Sequence, residues 1–312
     1  MALALTLVRG AVAGLGKRPS PAAELPPTVL TRTAVRVDPA RLAAYARVCG
    51  FAPDPRADAR ADAEAGGAGG ELGGDGAGLG AEAGAGAVLP LTYPHVLGFP
   101  LAARIMAARA FPLPLMGLVH TSIDIQASRP LTAGDRPDLV VYAEGLRAHR
   151  RGTEVVMVTQ ARLGGQTVWC DRSTYLARHR VDEAAAARAD AAGPPEPPEP
   201  AGPAGPAGPL PEVARWRLGA DLGRRHARVT GDWNPIHLYP WTARPLGFPR
   251  AIVHGMWTVA RCVAAAGPDV THLAASFRRP IPLPAEVSYA ARGARFEVRS
   301  AHDVHVTGTF DR

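Results

Sequence analysis

The sequence predicts an α+β protein made of two related halves, each opening with helices and closing with antiparallel strands. Three observations carry this. Segments 36–50 (RVDPARLAAYARVCG) and 217–231 (RLGADLGRRHARVTG) share Arg36/Arg217, Ala46/Ala227, Arg47/Arg228, Val48/Val229 and Gly50/Gly231 at one constant spacing. Strand-like alternation follows the helices in both halves rather than interleaving with them. No nucleotide-binding glycine pattern sits at a strand-to-helix junction, and the glycine-rich run at 66–86 has no strand beside it.

The chain of 312 residues is long enough for two such units, and 47% hydrophobic residues suffice for a packed core. Glycine (34) and proline (31) make up about a fifth of it, against a usual ~12%. They concentrate in two stretches. Residues 52–87 are nearly all Ala, Gly and charge, and 183–211 form a Pro/Ala/Gly linker. Neither holds the large apolar side chains that would offset the entropy of ordering. The expected organisation is a tail at 1–29, a first repeat at 30–182 carrying the insertion 52–87, the linker 183–211, and a second repeat at 212–312.

Each half then reads element by element. Asp38 followed by Pro39 is a helix start, with a capping acid and proline in the first turn. Leu42, Tyr45, Ala46 and Cys49 share one face, and Gly50 ends the helix. A second helix is expected at about 99–109, with a counterpart at about 255–266 stopped by Gly267-Pro268. In VHTSIDIQ (119–126), Val119, Thr121, Ile123 and Ile125 point one way and the polar residues the other. DLVVYAEGL, TEVVMVTQARL and QTVWCDRSTYLA follow, parted by RRG and GG turns. The second half supplies AEVSYAA, ARFEVRS and DVHVTGTF. Two further pairings support the repeat: YPHVLGFP (93–100) with YPWTARPLGFP (239–249), and SRPLTAGD (128–135) with RRPIPLPAE (278–286).

Charge and cysteines narrow the function. The net charge of +7 is dispersed arginine, without a compact basic run or a nucleic-acid-binding motif, so an anionic small molecule is favoured over nucleic acid. Cys49, Cys170 and Cys262 are odd in number and far apart, which gives no disulfide framework and no metal spacing. The start, MALALTLVRGAVAGLGKRP, is interrupted by Arg9 and lacks both a basic leader and the ~20 apolar residues of a membrane span. A cytoplasmic protein without membrane insertion is expected.

The segment GDWNPIH (231–237) carries the chemistry. Asp232 and His237 are five positions apart, which on a regular strand points them to opposite faces; a bend at Pro235 can bring them together. A carboxylate and an imidazole on one loop can share one water as acid and base.

GDWNPIH followed by LGFPRAIVHGMW (246–257) resembles the signature of the MaoC-like hydratases and dehydratases, the (R)-specific enoyl-thioester hydratase family. With its weaker first copy, the chain is similar to two-repeat members of that family, including actinobacterial 3-hydroxyacyl-thioester dehydratases. The resemblance implies a double hotdog fold, two curved antiparallel sheets each wrapped on a central helix, with the first repeat degenerate. It implies reversible dehydration of (R)-3-hydroxyacyl thioesters, with acyl-CoA or acyl carrier protein as substrate carrier, no cofactor and no metal. It makes Asp232 and His237 the catalytic pair and gives Asn234, His254 and Gly255 to substrate binding, with the Gly255 N–H at a helix start as oxyanion donor. The first copy has Phe51 where the second has Asp232, and no His-Gly-Met, so one active site per chain is expected, with room for a longer acyl chain. The protein would be a homodimer or a one-chain pseudo-dimer.

Bland readings stand beside these. Asp232 and His237 could be a capping acid and a surface histidine, His254 a satisfied core histidine, and Gly255 a tight helix start. Asp303 and His305 share a strand face as metal ligands might, but a solvated face is favoured. The cysteines read as small core residues. Arginines at 147–151 and 278–279 suit either the phosphates of a coenzyme A or pantetheine arm, or a generic basic surface. The rival functions are a thioesterase and a non-catalytic acyl-thioester-binding subunit.

Overall fold

The computed structural model describes residues 17–51, 86–182 and 208–312, with a few isolated positions besides. The start of the chain and all but the last two residues of 52–87 lie outside the described residues, as does most of the 183–211 linker. The linker's last residues are already packed: Leu210 is buried, and Ala291 N–H donates to the Pro211 carbonyl.

Ten strands form one sheet. The first half supplies β1 (Val29–Arg32), β2 (Leu118–Ala127), β3 (Asp138–His149), β4 (Gly152–Leu163) and β5 (Gln166–Arg178). The second supplies β6 (Glu212–Leu218), β7 (His272–Phe277), β8 (Ala285–Arg292), β9 (Arg295–Arg299) and β10 (Val304–Asp311). The order β1-β3-β4-β5-β2-β7-β10-β9-β8-β6 reads the same from either end once β1 is matched to β6 and β2 to β7. The halves join through antiparallel β2 and β7, with Ser122 opposite Ser276 and Gln126 opposite His272. This is a double hotdog: each half-sheet wraps a long helix, α2 (Tyr93–Ala107) in the first and α5 (Gly255–Ala266) in the second.

The repeat also shows in α1 (Pro39–Cys49) and α3 (Leu222–Thr230), which pack against each other. Gly50 and Gly231 end them at φ 76° and 83°, left-handed conformations that favour glycine. Asp38 caps α1 by accepting from Ala40 N–H (2.9 Å) and Arg41 N–H (3.3 Å). Cross-braces tie the halves together. Arg41 donates to the Val229 and Thr230 carbonyls at the end of α3 (2.6 and 2.9 Å), and Trp257 Nε1 donates to the Val48 carbonyl at the end of α1 (2.8 Å).

Two expectations are corrected. The helix placed at 99–109 starts at Tyr93, because Pro94 occupies its first turn, where no N–H is needed, and Pro100 is tolerated inside it. YPHVLGFP therefore lies in the first central helix, whereas YPWTARPLGFP forms the loop before the second, including the short helix α4 (Pro240–Ala243). The elements that do correspond are fixed by backbone contacts. Leu89 N–H donates to Leu131 as Val253 N–H does to Ile281, and Tyr93 N–H to Pro90 as Trp257 N–H does to His254. The SRPLTAGD/RRPIPLPAE pairing agrees with this register.

Candidate active site

The loop after α3 is built to bend. Asp232 follows the left-handed Gly231, and its Oδ1 accepts from Asn234 N–H (3.1 Å). Asn234 Oδ1 in turn accepts from Ile236 N–H (3.4 Å), capping the single 3-10 turn Pro235–His237. Asn234 thus shapes the loop. Thr242 Oγ1 fixes the far side of the turn by donating to the Pro235 carbonyl (2.7 Å). Gly223 fixes the near side: a Cβ there would lie 3.0 Å from the His237 carbonyl carbon and closer still to its oxygen. Only glycine lets α3 pass so near the loop.

His237 is 8% exposed and its Nδ1 donates to the Ile252 carbonyl (2.8 Å), which leaves Nε2 as the lone-pair nitrogen of the neutral ring. His254 stacks on it at 3.7 Å between ring centroids. His254 Nε2 donates to the Asp232 backbone carbonyl (3.0 Å) and lies 3.7 Å from the Asp232 carboxylate. Ligating atoms of Asp232, His237 and His254 all lie within 4.8 Å of one another. A metal would have to sit about 2.1 Å from each nitrogen in the plane of each ring. The two rings are stacked and inclined by only 24°, so no point close to both lies in both ring planes. A water about 2.8 Å from two polar atoms spans that separation comfortably. Burial pushes the His237 imidazole down to about 3, reinforced by His254 and opposed by Asp232, and pushes His254 down to about 4. Both rings are therefore neutral near pH 7.

Gly255 is the first residue of α5, whose cap residue His254 gives no side-chain hydrogen bond to the helix start. Phe277 lies over Gly255 so closely that a Cβ would meet its Cε1 at 2.8 Å. All five sequence-derived site residues, Asp232, Asn234, His237, His254 and Gly255, line one cleft of about 1130 Å3, whose other wall comes from the first repeat. Phe51 sits where Asp232 would, directly after Gly50, and stacks on Tyr45 in the core at 6.1 Å.

The match to known proteins agrees with this geometry. Residues 217–309 match the model of the MaoC-like domain. The chain is 33% identical over 274 residues to 3-hydroxyacyl-thioester dehydratase X of Mycobacterium tuberculosis, covering 86% of this chain and 82% of that protein. The chain belongs to the MaoC-like dehydratase family. The crystal structure of HtdX of Mycobacterium tuberculosis superposes with a TM-score of 0.67 at 29% identity, covering 91% of this chain and 99% of that one. A shorter match, 35% over 69 residues, is to the mitochondrial 3-hydroxyacyl-[acyl-carrier-protein] dehydratase of Arabidopsis thaliana, covering 20% of this chain and 42% of that protein.

Within this MaoC-like chain, sequence reasoning missed several residues. Arg41 and Gly223 hold the loop from outside the motif. His226 is buried 4.5 Å from the His254 ring, and neither of its nitrogens has a protein partner. Its only sequence signal is its place on α3. His305 corrects the expectation of a solvated face: it is 3% exposed, at a bulge in β10, while Asp303 pairs with Arg279 at 2.8 Å. Cys49 and Cys262 are fully buried, and burial pushes the Cys49 thiol up to about 12. Among the described residues, no helix is long and apolar enough to cross a membrane.

Proposed function

We propose that this chain is a hydro-lyase that adds water reversibly across trans-2-enoyl thioesters to give (R)-3-hydroxyacyl thioesters. The observation that carries the reading is the approach of Asp232 and His237 to within one water's span on the wall of a cleft walled by both repeats. One water, held by both groups, gives its hydroxyl to C3. The proton it releases passes to the pair, with His237 Nε2 as the available base, and the pair delivers one proton to C2. Dehydration reverses the order, and the pair ends as it began. Negative charge developing on the thioester oxygen is met by the Gly255 N–H and the positive end of α5. The reaction is redox-neutral and needs no more than these groups. Each member of an acid–base pair contributes about a hundred- to ten-thousandfold.

Arg151, Arg178, Arg278 and Arg279 are exposed residues on the rim of the cleft, from both repeats, and suit the phosphates of a coenzyme A or phosphopantetheine carrier. The test is hydration of crotonyl-CoA, followed as loss of enoyl absorbance with free thiol measured in parallel. Hydration without thiol release is expected, and it should vanish in Asp232→Asn and in His237→Ala while the fold survives. Thiol release would favour a thioesterase. Binding without turnover, or full activity in either variant, would overturn the assignment.

A further inference from the structure

Residues on both faces of the sheet line the cleft at one end, where β2 and β4 begin and β5 and β7 finish. Met106, Met256 and Val306 line it from the core side. Glu154 on β4 lines it from the other side. Strand pairing fixes that direction. Glu154 lies opposite Leu176 and Gly152 opposite Arg178, while the intervening Val155 and Tyr175 turn into the core. A glutamate removed from water is almost always paired. Glu154 is 8% exposed, yet among the described residues its side chain has one hydrogen bond, between Oε1 and Thr121 Oγ1 (3.0 Å). Its Oε2 has no partner among them and, unlike the sealed nitrogens of His226, keeps surface on the cleft. Thr121 is the extra residue of a bulge in β2, between the His120/Tyr175 and Ser122/Thr174 pairs, a device that re-aims a side chain.

The neighbours of this pair place it along the cleft. Val119, next but one to Thr121, packs on Ile236 of the loop that carries Asp232 and His237. In the other direction Arg178 is two residues beyond Leu176 on the same face, about 7 Å along the strand. Arg178 stands on the rim with Arg151. Glu154 thus lies between the candidate acid–base pair and the rim arginines, on the face of the sheet away from α2. A chain running inward along α2 does not pass it; a chain leading out to the arginines does.

We propose that Glu154, held by Thr121, binds the hydroxyl and adjoining amide of a phosphopantetheine arm where it crosses from the rim to the thioester. This rests on the proposed hydro-lyase reading and extends recognition from the phosphates to the arm itself. A few bonds inward of its phosphate such an arm carries a secondary hydroxyl and then an amide. Those are the polar groups that meet an acid one strand repeat inside the arginines. The hydroxyl both donates and accepts, so it suits either protonation state of the acid. Coenzyme A and acyl carrier protein present the same arm.

The test is kcat/KM for crotonyl-CoA, crotonyl-pantetheine and crotonyl-N-acetylcysteamine, the last of which lacks the hydroxyl and its adjoining amide. Glu154→Leu should lower the pantetheine-to-N-acetylcysteamine ratio about tenfold, through KM, and the CoA-to-N-acetylcysteamine ratio by the same factor. Glu154→Gln keeps the reach and a hydrogen-bonding oxygen, so it should recover most of the ratio. Crotonyl-acyl carrier protein should show the same loss as crotonyl-CoA; a loss confined to one carrier would overturn the subsite. Unchanged ratios would overturn it too, as would an equal loss on all three small thioesters, which marks a purely structural role. Where Glu154→Leu does not fold, Glu154→Asp carries the test, because it keeps the acid but withdraws its oxygens by one methylene; an unchanged ratio there overturns the subsite. Wild-type protein is assayed on crotonyl-CoA first. If it is not hydrated, the hydro-lyase reading fails by itself, and calorimetric binding of butyryl-CoA then decides the subsite. Binding about tenfold weaker in the Glu154 variant supports it, and equal binding overturns it.

Discussion

Gly223→Ala is a one-methyl perturbation of a residue outside the cleft lining. The added Cβ would stand 3.0 Å from the His237 carbonyl carbon and 3.5 Å from its Cβ, with the carbonyl oxygen nearer than either. Carbon atoms rest at about 3.5–4.0 Å, so the loop or α3 must retreat by roughly 1 Å. The obstacle is backbone, not the tip of a flexible side chain, and the loop's far side is braced by Thr242 and by the Nδ1 bond to Ile252. Helix propensity works the other way: alanine in place of glycine gains up to about 1 kcal/mol. Overpacking costs about 1–3 kcal/mol, so net stability should fall by no more than about 3 kcal/mol. Misplacement of a catalytic group by about 1 Å is worth about a hundredfold in rate. The variant should therefore melt as a folded protein while kcat for crotonyl-CoA falls about a hundredfold. Thermal unfolding by circular dichroism and steady-state hydration measured together check this. A variant with wild-type kcat would refute the claim that Gly223 sets the position of His237.

Three further outcomes are expected. Because burial holds His237 at about 3 and its neighbour His254 at about 4, kcat/KM should stay flat from about pH 8 to about pH 5; an acid limb centred near the ordinary imidazole value of ~6.5 would contradict the buried, neutral pair. His272 has the opposite sign: it bridges Asp124 (3.0 Å) and Asp311 (2.8 Å) across the seam between the halves, and the Asp124 hydrogen bond is the main cause that raises it to about 9. Its contribution is complete below ~6.5 and lost as pH rises through about 9, so His272→Gln should lower urea stability by about 1–2 kcal/mol near pH 6, and the gap to wild type should close near pH 10; a gap that persists at alkaline pH counts against the bridge. Arg41→Ala removes two charged donors from the carbonyls that precede Gly231 and should cost about 2 kcal/mol of stability and about tenfold in kcat, with partial recovery in added guanidinium; an unchanged kcat would show that the loop does not depend on this brace.

The grouping of the candidate site residues was the most legible part of the sequence, because the motif is local. Bend, cap and the two side chains proposed as the acid–base pair all fall within GDWNPIH, and their neighbours His254 and Gly255 follow at one helix start. Elements whose signal is not periodic were missed. β7, HLAASF, lies in the middle of the sheet and is small and largely buried, so it shows no alternation. β1 is a short edge strand, with three of its four residues exposed. β6 has Trp216 and Leu218 pointing inward at strand spacing, but its alternation runs straight into the helix that follows. The start of α2 was hidden by Pro94 and Pro100, which read as breakers although the helix accommodates both. Contacts between halves, such as Arg41 to Thr230 and His120 to Phe277, join residues far apart in the chain and leave no trace in either segment alone.

The mirrored strand order has an evolutionary corollary. In an assembly of identical subunits every substitution is made twice, so a mutation that reshapes one wall also strikes its twin. Here β2 and β7 meet within a single polypeptide, and the two sides of the seam are free to drift independently. One side can keep the reagents under strict selection while the other explores which molecules are admitted.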